Sequence, residues 1–318
     1  MGDLSFRPAS SADAAFAADV YTAVRPTAPV DPIVMRYDWD KAPLAWVVQH
    51  FVVERDGRPI GVAGFDHPRW DRSDRRFGSV GRELLPDHRD AKSLAAVLAE
   101  MERRLAADGA GTVAVRANED DALRIGVAIA RGFREDRRSK RWELDLVANA
   151  ERIATMAGAS RARMRAEGVG LLTLSEDPDP EKVRKIWRLS TEAERDVPTT
   201  LPLIEDTLED YVRWFKAPDI RVDRVWLARE GEDIVGVSLL RYPPVRGVAG
   251  TAWTATGRKV RGRGIARAVK CETLMQAISL GVDRVRTGND AANSPILHLN
   301  ASLGYRPIAG GINFLKDV

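Results

Sequence analysis

Residues 254–270 read TATGRKVRGRGIARAVK, and the fold of the chain turns on what this stretch is built to hold. From Val248 to Leu280 the pattern is a strand, a basic loop containing Gly262 and Gly264, then a helix. Backbone N–H groups in the first turn of a helix have no intrahelical partner, and the helix dipole adds positive potential there. Such an end takes an anion. Two glycines remove side chains where a phosphate would approach the backbone, and Arg261, Arg263 and Arg267 add charge-assisted donors. The stretch therefore predicts a phosphate-bearing ligand. A P-loop is absent, and Arg267 stands where a dinucleotide fingerprint needs its third small residue. A solvated basic turn and an RNA contact through RGRG are the other readings of the same residues.

The rest of the chain shows that this unit is one half of a duplication. Gly132-Phe133 matches Gly304-Tyr305 and Arg89 matches Arg261, both at an offset of 172, and the hairpins RDGRPIGV and REGEDIVGV sit 174 to 175 apart. This is the repeat of a whole domain. Each half runs strand, helix, several strands, helix, strand, helix, strand. The predicted fold class is α+β: two tandem domains, each a mostly antiparallel mixed sheet flanked by helices. The expected boundaries are 1–148, a helical linker over 149–168, and 169–318. Prolines read as breaking the stretch 26–43.

Composition sets the outer limits. The 318 residues are 44% hydrophobic and 30% charged with a net charge of +3, which fits a globular protein and is too small an excess for a dedicated nucleic-acid binder. Cys271 is the single cysteine, so no intrachain disulfide forms, and its helical context marks it as a buried residue. His50, His67, His88 and His298 are scattered, and no metal site is expected. No signal-peptide pattern opens the sequence and no apolar run spans a bilayer, so a cytoplasmic location with no membrane partner is expected.

Arg261-Gly262-Arg263-Gly264-Ile265-Ala266 resembles the [RQ]-x-x-G-x-[GA] signature of the GCN5-related N-acetyltransferase (GNAT) superfamily, and TGNDAANSPILHLNASLGY resembles that fold's strand–helix block ending in N-x-x-L-G-[FY]. The resemblance implies acetyl-CoA as co-substrate. Its diphosphate would lie on Arg261, Gly262, Arg263, Gly264, Ile265, Ala266 and Arg267. Its pantetheine arm and thioester would run along the splayed strand at Thr254, Ala255 and Thr256, with Asn293 and Asn300 facing the pantetheine and diphosphate region and Asn289, a catalytic candidate, at the splayed strand's end. The tyrosine that many members use to protonate the leaving thiolate corresponds to Asn300 here.

The resemblance implies an N-acetyltransferase acting on a small-molecule amine or peptide by direct attack in a ternary complex, with no nucleic-acid role; a homodimer is compatible with the sequence. The amine needs a base. No Asp or Glu occurs in 248–257, so the acidic stretch STEAERDVPTTLPLIED supplies the candidates Glu192, Glu194 and Asp196, with Glu192 and Asp196 one helical turn apart. Trp187, Trp214 and Trp253 are candidates for the acceptor cleft. In the first half Asp90, Lys92 and Leu94 align with Gly262, Gly264 and Ala266, a bulky acidic loop that should not cradle a diphosphate. That half reads as a degenerate copy that supports the second or walls its cleft. A non-catalytic acyl-CoA sensor is the alternative reading.

Overall fold

A computed structural model describes residues 3–318. The first half contains β1 (Leu4–Pro8), α1 (Ala14–Val24), α2 (Pro32–Asp40), β2 (Trp46–Arg55), β3 (Arg58–Pro68), β4 (Phe77–Leu84), α3 (Ala91–Ala107), β5 (Thr112–Asn118), α4 (Ala122–Ala130) and β6 (Arg134–Asp145). Helix α5 (Ala150–Ala166) leads into β7 (Val169–Thr173), α6 (Lys182–Glu194), α7 (Leu208–Trp214), β8 (Val225–Glu230), β9 (Asp233–Arg241), β10 (Ala249–Thr256), α8 (Ile265–Ser279), β11 (Arg284–Asp290), α9 (Ser294–Leu303) and β12 (Arg306–Asp317). The mixed, mostly antiparallel pairing and the flanking helices are as the duplication predicted, but the two halves do not form separate sheets.

All the strands join in one sheet, ordered β1-β2-β3-β4-β5-β12-β6-β11-β10-β9-β8-β7. The last strand of each half lies beside the other half. β12 pairs antiparallel with β5, and β6 pairs antiparallel with β11 along the whole length of β11. The cores follow the exchange. Ile312 and Phe314 of β12 are buried in the first-half core with Leu94, Val113 and Val115, while Leu144 and Leu146 at the end of β6 are buried in the second-half core with Leu274 and Val285. Each such side chain contributes about 1.5–3 kcal/mol by leaving water.

The stretch 26–43, which the prolines had marked as broken, contains α2. Pro32 sits in its first turn, where a missing N–H costs nothing, and Asp31 caps it by accepting from the N–H groups of Ile33 and Val34. The second Asp31 oxygen accepts from the N–H groups of Val245 and Arg246, so this one buried carboxylate also fastens α2 to the second half.

Helix α8 is buried nearly all round, from Ile265 through Ala277, because α5 covers the face turned away from β8, β9 and β10. A bidentate ion pair holds that layer: Arg161 of α5 donates to buried Glu272 at 2.6 and 2.7 Å. Among the described residues no helix is long and apolar enough to cross a membrane.

Candidate active site

β10 and β11 pair in parallel only at Ala249–Val285 and Gly250–Arg286. Beyond these pairs β10 follows β9 and β11 follows β6, so the two strands diverge. A bulge between Thr251 and Trp253 on the β9 side re-aims β10 where the divergence begins. Thr254, Ala255 and Thr256 thus lie on a strand with β9 on one side and no strand ladder on the other.

The divergence leads to the start of α8. Gly264 precedes its first turn with φ +87°, no side chain caps it, and Gly262 has φ +81°. Ile265, Ala266 and Arg267 therefore present first-turn N–H groups without intrahelical partners. The arginines divide. Arg263 turns back to Glu230 and Glu167, at 3.0 and 2.9 Å. Arg261 meets Asp196 at 2.6 Å, and exposed Arg267 makes no ion pair among the described residues. This start suits a diphosphate through backbone N–H groups and Arg267; the side chains of Arg261 and Arg263 would first have to leave their carboxylates.

The equivalent start in the first half is closed by its own side chain. Asp90 caps α3 and accepts from the N–H and hydroxyl of Ser93. Position by position Asp90 stands where Gly264 stands, an offset of 174 rather than the 172 that the sequence comparison used there. Arg89 is held by Glu83 and Asp121.

A cavity of about 440 Å³ opens next to the β10 bulge, lined by Ala252 and Trp253, by Glu194 at the end of α6, by Asp206, Tyr211, Arg213 and Trp214, by Arg241, and by Tyr37, Asp38 and Lys41 of the first half. The Tyr37 hydroxyl donates to the Arg213 carbonyl at 2.6 Å, and the Leu44 N–H donates to Asp210 at 2.9 Å, so the first half closes one wall. Burial, reinforced by the negative charges of Asp206 and Glu205, pushes the Glu194 carboxyl up to about 7. Burial, with Asp210 nearby, also raises Asp206. Trp253 donates to Ser190 at 3.1 Å, and Trp187 donates to the Asp206 carbonyl at 2.8 Å, so Trp187 braces the loop while Trp214 and Trp253 line the space.

The other site candidates are placed as follows. Asp196 lies past the end of α6 and is gripped by Arg258 and Arg261, both at 2.6 Å; the Arg258 hydrogen bond comes first in holding its carboxyl far below the usual carboxylate range. A carboxylate so held is a clamp on the basic loop and a poor proton acceptor, which corrects its reading as a base. Glu192 is half-buried and does not line the cavity. Asn300 is fully buried and donates to Asn289 at 2.8 Å, so the pair ties α9 to the end of β11 rather than facing open space. Asn293 precedes α9 without capping it.

These features together define a tandem GCN5-related N-acetyltransferase fold. The structure superposes on a tandem GNAT protein from the clavulanic acid biosynthesis pathway with a TM-score of 0.76 at 18% identity, covering 99% of this chain and 98% of that one. It is also similar to a GCN5-related N-acetyltransferase from Sphaerobacter thermophilus, with a TM-score of 0.68 at 18% identity over 99% and 95% of the two chains. No family model and no curated protein matches the sequence. At these identities the likeness is one of fold.

Proposed function

We propose that this protein is an acetyl-CoA-dependent N-acetyltransferase whose second half carries the reaction and whose acceptor is an amine. The observation that carries this reading is the succession of three features along β10: a strand diverging from its neighbour, a cleft by its bulge holding a carboxyl poised near neutrality, and an uncapped α8 start beyond its end. Acetyl-CoA, when bound, supplies the acetyl thioester: the amine nitrogen bonds to its carbonyl carbon, the carbon–sulfur bond breaks, and the thiolate takes up a proton.

Glu194 accepts the proton that the incoming ammonium must lose, because a base is most effective when its pKa lies near the working pH. The unladdered backbone of 251–256 orients the thioester arm. Backbone donors there would stabilise the developing oxyanion, a term of roughly 3–4 kcal/mol in acyl transfers. No tyrosine occupies position 300, and an ordinary thiol with a pKa of about 8.5 leaves without a dedicated acid.

The test is release of free thiol from acetyl-CoA with a panel of primary amines, beside calorimetric binding of acetyl-CoA. Binding with no thiol release from any amine would favour a non-catalytic acyl-CoA sensor, the reading that Asn300 keeps open. Absence of both would remove the acyltransferase reading.

A further inference from the structure

The acceptor cavity does not end at Ala252. A second cavity of about 380 Å³ adjoins it and shares Asp38, Arg241 and Ala252 as a common wall. Its far side is apolar, with Val34, Met35, Trp39 and Val248. Its polar groups are Asp31, Asp38, Asp219, Arg241 and Thr251.

The charges do not balance. Asp31 has both oxygens satisfied by four backbone N–H groups. Arg241 donates to one oxygen of Asp219 at 3.1 Å. Asp219 is only 1% exposed, and its other oxygen, Oδ1, has no hydrogen-bond partner. The Asp38 side chain makes no hydrogen bond among the described residues, and Asp38 lines both cavities. At the shared wall one guanidinium thus stands against two carboxylates, Lys41 and Arg213 being the other cations that line the first cavity, and Asp219, whose residue lines the second, keeps one buried carboxylate oxygen without a donor. An unsatisfied buried acceptor of this kind is costly, and a charged donor is its natural complement.

Resting on the acetyltransferase reading, we infer that the acceptor is a dicationic amine: one amino group reacts beside Glu194, and a second ammonium, reaching past Ala252 into the adjoining cavity, is held by Asp38 and Asp219. Monoamines would leave the Asp219 oxygen unmet, so recognition is by the second charge. Asp38 comes from α2, which makes the first half a specificity element of the site in the second.

The experiment compares diaminobutane, diaminopentane and diaminohexane with butylamine, pentylamine and hexylamine as acceptors, in the wild type and in Asp38→Asn. Asp38 is the variant of choice because Asp219 is buried against Arg241 and its replacement endangers folding. The expected result is a diamine-to-monoamine ratio of kcat/KM of roughly 10–100, the value of a buried charge-assisted hydrogen bond, falling about tenfold in Asp38→Asn, where Asp219 alone remains to hold the second ammonium. Equal use of both amine classes by the wild type, or a preference that is undiminished in Asp38→Asn, would overturn the inference. If no amine is acetylated the acetyltransferase reading falls, and calorimetry of diaminohexane then decides this one by itself. Binding that weakens about tenfold or more in Asp38→Asn sustains a diammonium site, and absent or unaltered binding removes it.

Discussion

Glu194 and Asp196, two residues apart where α6 ends, have opposite electrostatic fates. Glu194 turns into the acceptor cavity and is pushed up to about 7 by burial and by neighbouring acids, while Asp196 turns out onto Arg258 and Arg261 and is held low. A carboxyl near neutrality and a loop anchor are thus separated within one stretch. In the wild type, kcat/KM should rise with pH through an apparent pKa near 7, because the base works only when ionised. Glu194→Gln should lose ~10²- to 10⁴-fold in kcat/KM and lose that limb of the profile, with acetyl-CoA affinity retained. Asp196→Asn should keep the shape of the profile. A limb that persists in Glu194→Gln would assign the base elsewhere.

Gly264 and Asp90 give a second contrast, between an open helix start and a closed one. Gly264→Glu should abolish acetyl-CoA binding, because its carboxylate would sit among the first-turn N–H groups of α8 where the diphosphate belongs. Any residue but glycine pays about 1–2 kcal/mol at φ +87°, and a new Cβ would meet the Arg163 guanidinium at 3.2 Å. Gly264→Ala carries those same penalties without the charge and is the control, so the affinity difference between the two isolates the electrostatic part. Asp90→Ala should cost about 1 kcal/mol of stability through loss of a cap and leave affinity unchanged. Equal affinity in Gly264→Glu and Gly264→Ala would place the diphosphate somewhere other than α8.

The sequence made the α8 start legible because glycine acts locally, and it marked the first-half loop as unfit for a diphosphate, but it set Asp90 against Gly262 and so missed that Asp90 caps α3. It also showed the two-fold repeat and the acidic stretch beyond α6. It did not separate Glu194 from Asp196, since the difference lies in which one meets Arg258 and Arg261 across space. Helix α2 was hidden by Pro32, whose place in the first turn depends on Asp31 as cap. With α2 went the wall of the acceptor cavity and Asp38. The exchange of β6 and β12 was equally invisible, because a strand's own residues do not say which copy of a repeated sheet it enters.

Lys270 supplies a prediction about stability. It is 1% exposed, its Nζ has no hydrogen-bond partner, and it lies 5.1 Å from the centre of the Tyr305 ring. Burial pulls its amine down to about 7. Between about pH 7 and the unfolded value of 10.5 the unfolded chain holds a proton that the folded chain has lost, so stability due to this group rises with pH across that window. Lys270→Met should therefore be more stable than the wild type near neutrality, by up to roughly 5 kcal/mol at 1.36 kcal/mol per pKa unit, and the advantage should shrink by more than half by about pH 9. Urea unfolding of both proteins at the two pH values checks this. Cys271, which burial pushes up to about 11, titrates in both proteins and cancels in the difference. A pH-independent difference would mean that Lys270 finds a partner in solution.

The exchanged strands make a prediction about the halves themselves. Cutting the chain into 1–148 and 149–318 leaves the first fragment without β12, and so without Ile312 and Phe314 in its core, and leaves the second without β6, the only neighbour that β11 has along its full length. Two buried side chains at about 1.5–3 kcal/mol each, together with a whole strand ladder, consume much of the roughly 5–15 kcal/mol that holds an ordinary domain folded. In each fragment the freed edges, β5 in the first and β11 in the second, would also be open to intermolecular pairing. Each fragment expressed alone should therefore be unfolded or aggregated, whereas co-expression should return a one-to-one complex with a cooperative melt and, with it, acetyl-CoA binding. A cooperative melt from 149–318 alone would show that the second half closes its sheet without β6, by folding β12 back beside β11.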